Sequence, residues 1–146
     1  LGKKWHVDLW SSYSFIDGTM REPTTATASG ETEANLPYTA KHKLKLWSTF
    51  IYDSQYVITP KLYFVDNTTS FKLDSQNLTR RLEIPEYVVL DLYMGMEDVV
   101  KNLSVGLTVN NVLNNHFYNV GGGSSANFLK VPQLSRSLVF SLQYKF

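Results

Sequence analysis

The chain has 146 residues, of which 43% are hydrophobic and 18% charged, and its formal net charge at pH 7 is +1. This length fits one domain or part of one, and the near-neutral charge argues against a nucleic-acid-binding protein. The sequence contains no cysteine, which excludes a disulfide scaffold, a thiolate zinc site and a cysteine nucleophile. No apolar run approaches the roughly 18 residues that a membrane-spanning helix needs.

Six segments alternate between apolar and polar residues with a period of two, which predicts β-strands rather than helices. Each segment has one nearly pure apolar face and one polar or mixed face. Pro60 lies inside the third segment and cannot donate a backbone hydrogen bond, so we expect a bulge or a locally open pairing there. In chain order the predicted strands span about Lys4 to Ile16, Lys41 to Tyr52, Tyr56 to Val65, Tyr87 to Glu97, Leu103 to Asn110, and Ser135 to the C-terminus.

The connections between the predicted strands alternate long, short, long, short, long. The long ones are the polar stretches 17–40, 66–86 and 111–134, and the short ones are Asp53 to Gln55 and Asp98 to Asn102. Strict alternation places every long connection at one edge of the sheet, as in outer-membrane barrels with long extracellular loops and short periplasmic turns. Strand length agrees, because a membrane barrel strand needs about 9–11 residues and a strand of a globular domain averages about 5–6.

Six strands alone do not close a membrane barrel, which uses at least about eight. An open sheet would leave two edges in hydrocarbon at several kcal/mol for each unpaired backbone group, against a net folding stability of only about 5–15 kcal/mol. We therefore expect further strands from a preceding part of the same polypeptide or from another chain. Residues Leu1 to Trp10 contain neither an initiator Met nor a signal peptide, so we interpret the sequence as a fragment or a processed product.

Four stretches of the sequence carry the patterns of a known family. The last strand has apolar residues at alternate positions up to a terminal Phe, like the C-terminal assembly signal of outer-membrane proteins: Leu138, Phe140, Leu142, Tyr144 and Phe146. Residues 109–118 (VNNVLNNHFY) are similar to a penultimate-strand motif, with Phe117 where Tyr is usual. Residues 85–92 are similar to a strand of the same family that carries an Asp on its buried side. Residues 36–44 are similar to the start of another strand, where Pro is followed by basic residues. From about Leu36 to Phe146, the chain resembles the TonB-dependent receptors.

The resemblance implies an all-β fold, namely an antiparallel transmembrane β-barrel segment with about six strands of a 22-stranded barrel. Residues 1–146 would be the C-terminal part of the barrel domain, without the plug domain and the earlier strands. The implied protein is not an enzyme. It is a receptor in the outer membrane of a Gram-negative bacterium, and it takes up a scarce nutrient such as a siderophore, haem, a metal chelate or an oligosaccharide.

The partners implied by the resemblance are the remaining barrel strands, the plug domain, TonB, outer-membrane lipid and a small-molecule ligand. No cofactor and no nucleic-acid partner are expected. The substrate cannot be read from the sequence, because specificity lies in loops and a plug that are mostly absent. Two alternatives stay open at this point, a passive porin-like channel segment and a soluble β-sandwich binding module.

Candidate functional residues are few. No metal-ligand spacing and no hydrolase-like order of serine, histidine and acid is visible, so no catalytic or metal site is predicted. Four charged residues fall within strands, and we expect them to face the lumen because an ionised group facing lipid is costly: Asp8, Lys45, Lys61 and Asp91.

The base of the last long connection is the candidate ligand contact, through His116, Phe117 and Tyr118. Rigid aromatic rings offer a large contact area and lose little entropy on binding, and residues 121–125 would serve as a mobile hinge. The alternative places these rings in an aromatic belt at the membrane surface. Belts are expected at both ends of the strands, with Trp5, Tyr52, Tyr56, Tyr144 and Phe146 at the short turns, and Tyr13, Phe15, Phe64 and Tyr87 at the long loops.

Overall fold

The computed structural model describes residues 4–23, 31–73, 79–121 and 129–146. These ranges form β-strands and turns, and none of their residues lies in a helix long and apolar enough to span a membrane. The strands are β1 (Trp5–Phe15), β2 (Thr19–Pro23), β3 (Glu31–Asn35), β4 (His42–Tyr52), β5 (Tyr56–Val65), β6 (Thr68–Leu73), β7 (Thr79–Ile84), β8 (Tyr87–Val100), β9 (Leu103–Asn110), β10 (Tyr118–Val120), β11 (Lys130–Pro132) and β12 (Ser137–Tyr144).

Six of these strands form one antiparallel sheet in the order β1-β4-β5-β8-β9-β12. They correspond to the six strands predicted from the alternating pattern, so that prediction is confirmed. Each strand pairs with its neighbour in chain order, which places the three long connections at one edge of the sheet and the two short turns at the other.

The long connections are more ordered than the sequence predicts, since each contains a two-stranded hairpin: β2–β3, β6–β7 and β10–β11. These segments had been expected to be polar loops. Their sequences, such as ETEAN and TRRLEI, place polar residues at both odd and even positions. The pairing therefore leaves little period-two signal to detect, because neither face is consistently apolar.

The register of the main sheet gathers most of the large apolar residues of the six strands on one face, called here the apolar face. Directly opposed residues of an antiparallel pair project to the same side. Leu46 is opposed to Leu62, and Leu62 to Leu90. Farther along the sheet, Met94 is opposed to Leu107, and Leu107 to Phe140. The opposite side, called the polar face, is mixed: it carries the intervening serines, threonines and lysines together with some aromatic residues and valines, such as Trp47 and Val57.

Pairing opens locally beside Pro60, as its missing N–H predicts. Strands β4 and β5 keep one register on both sides of the gap, from Trp47 opposite Lys61 to Phe50 opposite Ile58, but the pairs between them are absent. The hydroxyl of Thr59 donates to Thr49 Oγ1 at 3.1 Å across this gap. On its other side, β5 stays paired with β8 through Pro60 and Leu92.

Strand β8 continues beyond its predicted end at Glu97 and reaches Val100. The predicted connection from Asp98 to Asn102 is therefore wrong in its bounds, because a register shift between Met96 and Val100 absorbs the extra residues of β8. Asp98 adopts a φ of 49°, and Ser104 Oγ donates to Glu97 Oε2 at 2.6 Å. The alternation breaks at this bulge, which made the strand look shorter than it is.

The rings at the short-turn edge form contacts on the apolar face. Trp5 and Tyr52 have ring centroids 4.8 Å apart, Tyr52 and Tyr56 are 6.2 Å apart, and Tyr144 meets Phe146 edge to face at 5.2 Å. This arrangement supports one aromatic belt.

At the long-loop edge, Tyr13 and Phe15 lie on the apolar face beside His42, whose Nδ1 is 2.8 Å from the Tyr13 hydroxyl. Tyr87 had been assigned to the same belt, and that assignment is wrong. The register sets Tyr87 opposite Val65, and Val65 opposite Lys43, on the polar face. A ring on that face does not share the surface of the belt.

Two adjacent serines near the middle of β1 test which face contacts lipid. Ser11 lies on the apolar face opposite Leu46, Ser12 lies on the polar face opposite Lys45, and both are exposed. If the apolar face contacts lipid, we expect Ser11→Arg to lower the stability of the folded protein by about 2–4 kcal/mol, the cost of Arg near the centre of the bilayer.

Ser12→Arg is the matched control and should be less destabilising, even though the new charge lies beside Lys45. The measurement is chemical unfolding of the full-length protein reconstituted in lipid vesicles. Equal losses, or a larger loss for Ser12→Arg, would show that the apolar face does not contact lipid.

Candidate functional site

The four charged residues predicted to face the lumen all lie on the polar face, but they do not form one cluster. Asp8 is near the short-turn end of β1, where its Oδ1 lies 3.1 Å from His6 Nε2. Lys45 is opposite Ser12 and Tyr63, nearer the long-loop edge. Their common face agrees with the expectation, and their exposure to a barrel lumen stays a prediction.

A row of large and charged side chains crosses the polar face near mid-height. Trp10 is opposite Trp47, Trp47 is opposite Lys61, and Lys61 is opposite Asp91. The two indoles stack with centroids 3.8 Å apart and an interplanar angle of 14°, and they remain 41% and 36% exposed. The alternation alone placed both tryptophans on this face, but nothing in the sequence indicated that they are opposed and stacked.

Asp91 has a specific partner in the structure. Its Oδ1 accepts a hydrogen bond from the backbone N–H of Asn111 at 2.8 Å. Lys61 lies opposite on β5, yet no ion pair joins these two described residues. The sequence had suggested a plug cation or a neighbouring lumen residue as the partner of Asp91. The observed partner is a neighbouring backbone amide, at the start of the last long connection.

The base of that connection turns towards the polar face. Phe117 packs against the Tyr87 ring with centroids 4.5 Å apart, and the Tyr87 hydroxyl donates to Asn119 Oδ1 at 3.0 Å. Lys130 Nζ lies 4.2 Å from the centroid of the Tyr118 ring, whereas His116 is exposed. The packing of Phe117 on Tyr87 favours the polar side over the membrane belt for that ring.

A cavity of 180 Å³ lies at this rim, between the sheet and the hairpins β6–β7 and β10–β11. This volume is below that of a typical small-molecule pocket, about 300–1,000 Å³, so the cavity suits one group of a larger ligand. Its wall combines aromatic rings with hydrogen-bonding and charged groups, among them Tyr38, Lys43, Asp66, Tyr87, Tyr118 and Asn119.

Two further predictions from the sequence are that the chain has no metal site and that residues 121–125 act as a hinge. Among residues 4–23, 31–73, 79–121 and 129–146, no group of three or more His, Cys, Asp or Glu side chains could hold a metal ion. Most of the predicted hinge at residues 121–125 lies outside the described residues, so that prediction is not tested.

The sequence analysis missed Tyr87 and Asn119 as members of the site. The only signal in the sequence was the parity that puts Tyr87 on the polar face.

Comparison with known proteins identifies the family. The model of the family "TonB dependent receptor-like, beta-barrel" matches residues 1–112. This chain belongs to that family. The match confirms the resemblance seen in the sequence, although it covers the N-terminal strands, ends inside the motif at residues 109–118 and does not reach the terminal Phe. No curated protein matches the chain.

Solved structures of TonB-dependent receptors share the fold. The ferric-catecholate import receptor Fiu from E. coli K12 is 18% identical, with a TM-score of 0.71 over 96% of this chain and 19% of that one. FpvA of Pseudomonas aeruginosa bound to a heterologous pyoverdine is 16% identical, with a TM-score of 0.68 over 97% of this chain and 17% of that one. The ferripyoverdine receptor of the P. aeruginosa outer membrane, bound to ferripyoverdine, is also 16% identical, with a TM-score of 0.64 over 78% of this chain and 15% of that one.

These similarities establish the fold as antiparallel strands of a TonB-dependent receptor barrel, which excludes the β-sandwich alternative. The chain spans less than a fifth of the length of each of these receptors. Proteins of the family are receptors and transporters rather than enzymes, and its members reside in the outer membrane of Gram-negative bacteria.

Proposed function

We propose that residues 1–146 are the C-terminal part of the barrel domain of an outer-membrane receptor that imports a scarce nutrient with energy relayed by TonB. The observation that carries this proposal is the continuous apolar face of six antiparallel strands, in a chain that matches the TonB-dependent receptor barrel over residues 1–112. In this assignment the apolar face contacts lipid and the polar face lines the lumen of a 22-stranded barrel.

The open edges of the sheet support this assignment. Within the described residues, β1 pairs only with β4 and β12 pairs only with β9. Unpaired edges are not stable in hydrocarbon, because every backbone N–H and C=O there needs a partner within the protein. The remaining barrel strands supply those partners, and the plug domain occupies the lumen. The three hairpins project outside the cell and the short turns face the periplasm.

A ferric siderophore complex is the first substrate class to test. The similar receptors are named for ferripyoverdine and for ferric catecholates. The rim of the polar face supports a ligand of this kind, because the wall of its cavity combines aromatic rings with Lys43, Asp66 and Asn119. Haem, other metal chelates and oligosaccharides are the further candidates within this function.

Energy dependence distinguishes an active receptor from a passive porin-like channel. We expect cells that express the full receptor to accumulate a radioiron-labelled chelate from a panel that includes ferripyoverdine and a ferric catecholate. A protonophore, or deletion of TonB, should abolish that accumulation, and host cells without the receptor provide the background. Uptake that persists without TonB would favour the passive channel, and failure of every chelate would direct the test to haem and oligosaccharides.

Ligand contact at the loop base predicts a specific loss of affinity. We expect the triple variant His116→Ala, Phe117→Ala and Tyr118→Ala to bind the transported chelate about tenfold more weakly, a loss typical of the central residues of a binding surface. The matched control is Leu113→Ala, because Leu113 is an exposed apolar residue of the same segment, 51% accessible.

The measurement is equilibrium binding to outer membranes that contain equal amounts of receptor. Unchanged affinity of the triple variant would contradict ligand contact by these side chains and would favour their role in an aromatic belt at the membrane surface. Weakening by Leu113→Ala to the same extent would instead indicate general distortion of the segment.

The C-terminal strand is proposed to act as the assembly signal through Leu138, Phe140, Leu142, Tyr144 and Phe146. All five side chains are exposed in this structure. Removal of Phe146 should lower the amount of folded receptor in the outer membrane severalfold, measured by heat-modifiable gel mobility.

The matched control is Gln143→Ala, a change on the other parity of the same strand, which should leave the folded amount unchanged. Wild-type amounts without Phe146 would contradict the assignment.

A further inference from the structure

Strand β9 ends before its neighbour β8 does at the long-loop edge of the sheet. The pairing of β8 with β9 stops at Leu92 opposite Val109, yet β8 extends outward to Tyr87, where it still pairs with Val65 of β5. Residues 87–91 of β8 therefore have no strand partner on the β9 side among the described residues. Backbone groups left unpaired at the rim of a barrel would be costly, because lipid cannot hydrogen-bond them.

The turn at residues 111–115 fills this notch. The N–H of Val112 donates to the carbonyl of Leu90 at 2.7 Å, which continues the ladder beyond the end of β9. The side-chain amide of Asn115 donates to the carbonyl of Val88 at 2.9 Å. These two bonds give the carbonyls of Leu90 and Val88 partners where no strand pairs with β8, and the side chain of Asp91 in turn accepts from the N–H of Asn111.

The turn is also held from within, by the side chain of Asn111. Asn111 is 3% exposed, and its φ is 51°, a left-handed conformation that Asn tolerates better than most residues. Its Oδ1 accepts from the N–H of Asn115 at 3.1 Å, and its Nδ2 donates to the Asn115 carbonyl at 2.9 Å. One buried amide thereby pairs with both backbone groups of the residue that precedes His116.

The same turn is tied to the last strand. Arg136 Nη2 donates to the carbonyl of Val112 at 2.6 Å, and the N–H of Arg136 donates to Asn114 Oδ1 at 3.0 Å. Asn110 Nδ2 donates to the hydroxyl of Ser137 at 3.0 Å. Strands β8 and β12, which are not neighbours in the sheet, are thus connected through one turn at the end of β9.

We propose that Asp91, Asn111, Asn115 and Arg136 form a clamp that positions the loop base at His116 to Tyr118, and that Asp91 acts in it as a hydrogen-bond acceptor rather than as a charge. The clamp fixes Asn115 on Val88, and two residues later Phe117 packs on Tyr87, the preceding residue of the same strand. These four are positioning residues. Their effect on ligand affinity rests on the proposed function, whereas their effect on the loop base does not.

Two substitutions at Asp91 separate the acceptor from the charge. Asp91→Asn removes the charge and keeps an oxygen acceptor for the Asn111 N–H, whereas Asp91→Leu removes both. In the full receptor in outer-membrane vesicles, we expect Asp91→Leu to speed amide hydrogen exchange in residues 110–118 about fivefold, the factor expected for loss of one hydrogen bond of ordinary, charge-independent strength. Asp91→Asn should retain the wild-type rate, and peptides from β12 should exchange as in the wild type for both variants.

A second readout follows the loop base directly. A nitroxide label on a cysteine replacing His116, an exposed position, should be immobile in the wild type and in Asp91→Asn, and mobile in Asp91→Leu. Asn115→Ala, which removes only the side-chain bond to Val88, should also mobilise this label. It tests the clamp even where Asp91→Leu fails to assemble. A label on a cysteine replacing Gln143, an exposed position of β12 outside the proposed assembly signal, is the control and should not change.

The outcomes are distinct. Equal disturbance by Asp91→Asn and Asp91→Leu would overturn the acceptor role and favour a charge role for Asp91. An immobile label in both Asp91→Leu and Asn115→Ala would overturn the clamp. Neither measurement uses a ligand, so failure of the transport assay would count against the proposed function and leave the clamp standing.

Discussion

A β-sheet in a membrane must satisfy its backbone hydrogen bonds within the protein, because hydrocarbon offers neither donors nor acceptors. Two breaks in the ladder of this sheet are bridged by contacts other than strand pairing. Beside Pro60, the hydroxyls of Thr49 and Thr59 bridge strands that do not pair there. Where β9 ends, the turn that begins at Asn111 gives the Leu90 carbonyl a backbone partner and binds the Asp91 side chain through the Asn111 N–H. The outer edges of β1 and β12 have the same requirement, and their backbone groups need partners from the rest of the barrel.

The two faces of the sheet differ in relief as well as in polarity. On the polar face, the stacked Trp10 and Trp47 stand as a ridge on neighbouring strands. Nearer the short-turn edge, the ring of Tyr93 lies over the paired glycines Gly95 and Gly106. A Cβ on Gly95 would come within 2.5 Å of the Tyr93 hydroxyl, so glycine is what allows the ring to lie flat. The polar face therefore has raised and low regions, and its shape does not follow from polarity alone.

The long connections illustrate why function is harder to read here than fold. The membrane-crossing strands repeat one pattern across six segments, so each supports the assignment of the others. Each hairpin beyond the sheet occurs once, lacks a consistently apolar face and is held by individual contacts. Family membership fixes the class of protein through the barrel, whereas similar receptors that share 16–18% identity carry over only the fold. The ligand therefore has to be sought at the rim, where the loops meet the sheet.

The sequence by itself determined the six strands, the alternation of long and short connections, an irregular pairing at Pro60 and the faces of Asp8, Lys45, Lys61 and Asp91. All of these follow from local parity and from the chemistry of single residues. Only the tertiary structure decided that Asp91 binds the Asn111 N–H, that Tyr87 packs on Phe117 and that Trp10 stacks on Trp47. These contacts join residues that are 20, 30 and 37 positions apart in the chain. They depend on the register between strands and on the point at which β9 leaves the sheet, and neither is encoded in a local pattern.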